Sequence, residues 1–123
     1  YTTYIDDTEE DAINNARRFF EENMKMFAPL GFVRGLSEDQ IGALGRGGAA
    51  ARSAALPTLE EGVSSGSWLC GTAESITEKL EDLQSRYPGL EQINAGSVVG
   101  TPQSVILEQL ERFGKGVMPH FKK

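Results

Sequence analysis

Two glycine–threonine pairs are the residues most suited to chemistry, because each lies where a short apolar stretch runs into a predicted helix. Gly71-Thr72 is the first pair, and Gly100-Thr101 repeats the arrangement. Threonine is a favoured N-cap because its hydroxyl accepts a hydrogen bond from a free N–H of the first turn. The other free N–H groups and the helix dipole attract anions. Capped helices without a ligand are common, so this spacing favours two N-caps over two anion sites. Pro102 is expected at the first helical position.

Few other side chains suggest catalysis. Cys70 ends a predicted strand and is a candidate nucleophile, but a free cysteine is usually a small buried hydrophobe, and we favour that interpretation. His120 is the only histidine and follows Pro119 near the end of the chain, which disfavours a Ser–His–Asp triad. No Cys/His spacing indicates a metal site. The residues alone therefore predict no catalytic group and no metal ligand.

The composition limits the classes of partner. The chain has 123 residues, the length of one domain, and a net charge of −6 from 18 acidic and 12 basic residues. The basic residues are scattered, which disfavours nucleic-acid binding, and no apolar run is long enough for a membrane span. One cysteine suits a reducing compartment. We therefore expect a cytoplasmic protein with no nucleic-acid or membrane partner.

The first thirty residues predict a strand and a helix. Tyr1–Ile5 is rich in β-branched and aromatic residues, and a helix is expected over Glu9–Phe27 with Thr8 as its N-cap and Asp11 in a capping-box position. The acidic cluster at this helix start is better interpreted as a capped, solvated helix end than as a metal site. The helix has an apolar stripe, widened by two further residues: Ile13, Ala16, Phe20, Met24 and Phe27, with Phe19 and Met26.

Residues 31–66 differ in composition, being rich in glycine, alanine and serine. Ser37 is expected to cap a helix over Glu38–Leu44, and Pro57 to begin another over Thr58–Gly62. The rest lacks large residues that would fix one packing, which predicts a flexible excursion. Three arginines are candidates for contact with an anionic ligand, although solvated positions are favoured: Arg34, Arg46 and Arg52.

Residues 67–123 predict two strand–turn–helix units. The strands are Ser67–Cys70 and Leu90–Gly96. Each following helix carries an apolar stripe: Ile76, Leu80 and Leu83 in the first, and Val105, Ile106, Leu110, Phe113 and Val117 in the second. Together with the first strand and helix, these units predict a parallel α/β fold. Three strands cannot close a barrel, so their sheet would keep an open edge.

Several segments, in order, resemble the C-terminal end of the bacterial luciferase-like flavin-dependent monooxygenases. The ending Val117-Met118-Pro119 after a helix is the most specific part, and the agreement is best over residues 67–121. Ala73 stands where many relatives have proline. The resembling segments are Tyr4–Ala12, Trp68–Ile76, Tyr87–Gly96, Gly100–Val105 and Phe113–Phe121.

This resemblance implies that the chain forms the last three βα units of a (β/α)₈ TIM-type barrel, as a single C-terminal segment. The excursion at residues 31–66 would then lie near the mouth of the active site. The family binds reduced flavin, usually FMN, and uses O₂ to oxygenate a small organic substrate, while some relatives use the deazaflavin F420 and transfer hydride. Within this chain, the resemblance implies that Cys70, Gly71, Gly96 and Ser97 face the flavin and substrate.

The first five βα units of that barrel have no counterpart in the chain. The expected macromolecular partner is therefore either the remainder of the barrel or another copy of the chain. A different class of function is also consistent with the residues. The chain would then be a non-catalytic α/β module that assembles through its open sheet edge.

Overall fold

Two parallel strands lie at the centre of the fold, β1 (Thr2–Ile5) and β2 (Trp68–Gly71). Their register pairs Thr2 with Trp68 and Ile5 with Gly71. The computed structural model describes residues 1–30, 37–46, 48–53 and 57–122. Over those residues the chain is a small α/β protein, mostly helical, whose two-stranded sheet is not closed into a barrel. Among the same residues, no helix is both long and apolar enough to traverse a bilayer.

Helix α1 (Glu9–Phe27) has the predicted bounds. The Thr8 hydroxyl accepts a hydrogen bond from the Asp11 N–H at 3.1 Å, which confirms the predicted N-cap. In the predicted stripe, Ala16, Phe19, Phe20 and Met24 are buried, while Ile13 and Phe27 are half-buried. The inclusion of Met26 is wrong, because its side chain is 41% exposed.

A 3₁₀ turn (Ala28–Leu30) ends α1, and the described residues then form three short α-helices: α2 (Glu38–Arg46), α3 (Gly48–Ser53) and α4 (Leu59–Ser64). Ser37 caps α2 as predicted, since its hydroxyl accepts from the Gln40 N–H at 3.2 Å. Thr58 precedes α4 as its N-cap and forms a capping box with Glu61, so the helix starts one residue later than predicted. Helix α3 was not predicted. Arg34 lies outside the described residues, as do the other residues of 31–36, residue 47 and residues 54–56 of the predicted excursion.

Of the two predicted Gly-Thr caps, one forms and one does not. Thr72 caps α5 (Ala73–Arg86) by accepting from the Ser75 N–H at 3.1 Å. Thr101 is not a cap, because its hydroxyl donates to the Val98 C=O at 2.8 Å instead. Pro102 is the N-cap residue of α6 (Gln103–Gly116) and provides no side-chain hydrogen bond.

The two faces of the sheet carry different helices. Side chains alternate along a strand: Cys70 packs in one buried cluster with residues of α1 and α4, whereas Leu69 packs in another with Ile76 and Leu80 of α5. On β1, Tyr4 stacks on Phe19 of α1 with 5.9 Å between ring centroids. Helices α1 and α5 therefore lie on opposite faces of the sheet.

The predicted third strand, Leu90–Gly96, is reduced to one residue. Gly96 forms an isolated parallel bridge with Thr2, and residues 90–95 form no strand. This bridge lies on the edge of β1 that faces away from β2. A barrel segment would place this strand beside β2 and its helices on one outer face. The observed strand order and the helices on both faces differ from that arrangement.

Candidate functional site

The carboxyl ends of β1 and β2 meet at one edge of the sheet, the carboxyl edge, where ligands bind in many parallel α/β proteins. Ile5 and Gly71 are paired there, and the Asp6 N–H donates to the Gly71 C=O at 3.1 Å. Asp7 and Thr72 lie just beyond the strand ends and line a shallow groove with residues of α6. If the predicted flavin-contacting residues form one site, this groove is where they are expected to meet.

The four residues predicted to face a flavin form two separate pairs. Cys70 and Gly71 lie at the end of β2, at the carboxyl edge. Gly96 pairs with Thr2, three residues below Ile5 along β1, and Ser97 follows it. At about 3.3 Å per residue, three residues correspond to about 10 Å along the strand. The structure does not bring the two pairs together, and their contact with a flavin stays a prediction.

Cys70 is buried, with 1% of its surface exposed, and packs against α1. Burial raises the pKa of its thiol to about 12, an increase that nearby Lys79 only partly offsets. The thiol is therefore protonated at neutral pH and acts as a small hydrophobe, not as a nucleophile.

Gly71 is required by the turn into α5. Its φ is 155°, and a Cβ added there would lie 2.5 Å from the Ser75 Oγ. Ser75 is also the residue whose N–H bonds to the Thr72 cap. The glycine thus allows β2 to be followed directly by the Thr72 cap and α5. This structural role explains Gly71 without a ligand.

Gly96 and Ser97 line a different groove, at the amino ends of the strands. This open groove has a volume of about 800 Å³ and is bounded by α1, by the start of β2 and by Asn94, Gly96 and Ser97. Phe20 and Trp68 form part of its wall, in an edge-to-face contact with 5.0 Å between ring centroids. The two predicted pairs of site residues therefore belong to opposite ends of the sheet.

An ion-pair cluster that was not predicted lies at the carboxyl edge, centred on Arg112 of α6. Its guanidinium donates to Asp7 at 2.8 Å and to Glu108 at 3.0 Å, and lies 3.6 Å from Asp6. The hydrogen bond to Asp7 is the main cause that raises the pKa of Arg112. Only the i,i+4 spacing of Glu108 and Arg112 is visible in the sequence. Because three carboxylates already surround the guanidinium, it is not available to a phosphate.

Asp6 is held by several donors in this cluster. Burial alone would raise the pKa of its carboxyl, but hydrogen bonds from Asn15 and from the Asp7 N–H, together with the charge of Arg112, outweigh burial and lower it. The Asn15 Nδ2 donates at 2.9 Å and the Asp7 N–H at 2.9 Å. Asp6 is thus an anion at neutral pH that ties the end of β1 to α1 and α6.

Gln109 was also missed, because a glutamine in a helix is normally exposed. It is only 5% exposed, and its amide bonds to both backbone groups of Ile5. The Ile5 N–H donates to Gln109 Oε1 at 2.6 Å, and Gln109 Nε2 donates to the Ile5 C=O at 3.0 Å. The predicted burial of Leu110 is wrong, since this residue is 57% exposed, whereas Val117 of the same stripe is fully buried.

In the part of the chain that the structure describes, no group of three His, Cys, Asp or Glu side chains is arranged to hold a metal ion. No model of a known protein family, no curated protein and no solved structure matches this chain. The functional proposal therefore rests on the sequence resemblance over residues 67–121.

Proposed function

We propose that this chain is the C-terminal part of a luciferase-like flavin-dependent monooxygenase, which oxygenates a small organic substrate with reduced FMN and O₂. The observation that carries the proposal is the ordered resemblance over residues 67–121. The segment Trp68–Ile76 includes β2, the Thr72 cap and the start of α5, and Phe113–Phe121 includes the end of α6 and the turn after it. Within the segment Tyr87–Gly96, residues 90–95 form no strand and Gly96 forms one bridge.

The residues present do not fit the whole cofactor. A flavin phosphate needs free cationic or N–H donors, and at the carboxyl edge Arg112 is already bound to carboxylates. The proposal therefore assigns the phosphate contacts to a part of the parent protein outside this chain. When bound, the flavin would supply the oxygen chemistry, and this chain would supply part of the wall that excludes water.

The proposal also requires a rearrangement of the sheet. In a closed barrel the segment before Ser97 would pair with β2, and a preceding strand would take the edge of β1 that Gly96 and Gln109 occupy here.

A second candidate, a non-catalytic module that assembles with other copies, is favoured by a specific observation. Leu107 and Leu110 of α6 are 58% and 57% exposed, and β2 is an edge strand. A pair of exposed apolar side chains and an open sheet edge are each typical of assembly surfaces. Light scattering tests this candidate, and a stable monodisperse monomer at all concentrations would argue against it.

The flavin proposal is tested by mixing the full-length parent protein with reduced FMN and O₂ and recording the absorbance of the flavin C4a-peroxide. We expect this absorbance from the parent and none from the 123-residue chain. A parent protein that binds no flavin would overturn the proposal. F420 is the alternative cofactor, and a parent that reduces F420 without consuming oxygen would replace monooxygenase by F420-dependent oxidoreductase.

A further inference from the structure

The edge of β1 that faces away from β2 carries the beginning of a third strand. The Gly96 N–H donates to the Tyr1 C=O at 3.1 Å, and the Thr3 N–H donates to the Gly96 C=O at 2.9 Å. These two bonds are one complete step of a parallel ladder, in which Gly96 faces Thr2. The ladder stops after this step.

Gln109 occupies the place of the next step. Because a parallel ladder repeats every two residues, the Val98 C=O would accept from the Ile5 N–H, and the Gly100 N–H would donate to the Ile5 C=O. In the structure, Gln109 Oε1 accepts from the Ile5 N–H at 2.6 Å and Gln109 Nε2 donates to the Ile5 C=O at 3.0 Å. One side-chain amide thus replaces an acceptor and a donor of the missing strand.

The backbone of Val98 is meanwhile engaged in a turn. Its C=O accepts from the Thr101 N–H at 3.2 Å and from the Thr101 hydroxyl at 2.8 Å, and Gly100 between them has a φ of 90°. The Val98 side chain already packs in the cluster on the α1 face, the face to which Tyr4 also contributes. An extended strand would place Val98 on that same face, so extension requires the opening of the turn at Val99 and Gly100 and the release of Gln109.

We propose that the third strand has two states. In the short state, seen here, the Gln109 amide and the Thr101 turn end the strand at Gly96. In the long state, Val98 and Gly100 pair with Ile5, and the carboxyl end of the third strand reaches the same edge as those of β1 and β2. This inference rests on the backbone hydrogen bonds of the 123-residue chain, in which Gly96 pairs with β1, and not on the proposed function, in which that segment would pair with β2.

Amide hydrogen exchange of the 123-residue chain, measured by NMR, tests the proposal with Gln109→Leu. We expect the Ile5 N–H to remain protected, because the Val98 C=O takes the place of Gln109 Oε1. The Thr101 N–H should exchange about tenfold faster, as expected for the loss of one hydrogen bond. Loss of protection at Ile5 with unchanged exchange at Thr101 would overturn the proposal. Gln103→Leu, at an exposed position of the same helix, controls for added apolar surface.

Thr101→Val provides a second test that leaves the buried amide in place. It removes the hydroxyl bond to the Val98 C=O, whereas Thr101→Ser keeps a hydroxyl at the same position. In the long state the Val98 N–H donates to the Thr3 C=O, so we expect this amide to be about tenfold better protected in the valine than in the serine variant. Equal protection at Val98 in the two variants would contradict the existence of the long state.

Discussion

At the scale of single residues, two glycines near the end of α6 have different reasons for being there. A Cβ added at Gly116 would lie 2.7 Å from the Ala73 Cβ, whereas a Cβ added at Gly114 meets nothing within 4 Å. Alanine favours a helix over glycine by about 1 kcal/mol, but overpacking costs about 1 to 3 kcal/mol. We therefore expect Gly116→Ala to lower the free energy of unfolding by about 1 kcal/mol.

Gly114→Ala is the matched control, and it should raise the free energy of unfolding by about 0.5 to 1 kcal/mol. Urea denaturation followed by circular dichroism measures both changes. If the two alanines stabilise the chain equally, α5 and α6 are not in close contact at Ala73. The expected opposite signs would identify Gly116 as the residue that lets the end of α6 approach the start of α5.

At the scale of elements, α5 begins at a side-chain N-cap, Thr72, whereas α6, which follows the similar pair Gly100-Thr101, has no side-chain cap. Thr72→Ala removes the acceptor for the Ser75 N–H and should lower the free energy of unfolding by about 1 kcal/mol. Thr72→Ser keeps the hydroxyl and should preserve most of the stability. Thermal unfolding of the two variants makes the comparison, and equal melting temperatures would mean that the cap contributes nothing.

The elements that could be predicted are those fixed by neighbouring residues. Thr8, Ser37 and Thr72 bond within three residues of themselves, so the starts of α1, α2 and α5 are visible in the sequence. The predicted third strand is wrong, because a strand also needs a partner edge, and over residues 90–96 only Gly96 forms a ladder bridge. Gly100-Thr101 has the same two residue types as Gly71-Thr72, yet the Thr101 hydroxyl donates to the Val98 C=O and does not cap a helix.

The candidate site was less accessible to prediction, because its contacts join distant parts of the chain. Gln109 bonds to Ile5, 104 residues away, and Arg112 bonds to Asp7, 105 residues away. Hydrophobic periodicity favoured Leu110 as the buried residue, since it assigns glutamine to the surface. The buried amide is explained only by the free backbone groups of Ile5, which no local pattern reveals.

At the scale of the whole molecule, the carboxyl edge is held by charges that should make stability depend on pH. Asp6 has a lowered pKa in the folded chain, so its anion stabilises the fold above the ordinary carboxyl value of 3.8. That contribution is lost as the pH falls through 3.8 and then through the lower folded pKa. The acid side of the stability curve should therefore report on the contacts that tie β1 to α1 and α6.

Asp6→Asn isolates this contribution. Hydrogen bonds to a charged group contribute about 1.5 kcal/mol or more, so we expect the variant to be less stable by about that amount at neutral pH. The difference should vanish at a pH well below 3.8, where Asp6 of the unmodified chain is protonated as well. Urea denaturation across this pH range gives the measurement, with Asp39→Asn on the exposed side of α2 as the control.

A loss of unfolding free energy that is the same at both ends of the pH range would show that Asp6 acts through its shape and neutral hydrogen bonds. The ion pairs of Arg112 would then position α6, and protonation of Asp6 would not be a cause of the loss of stability at low pH.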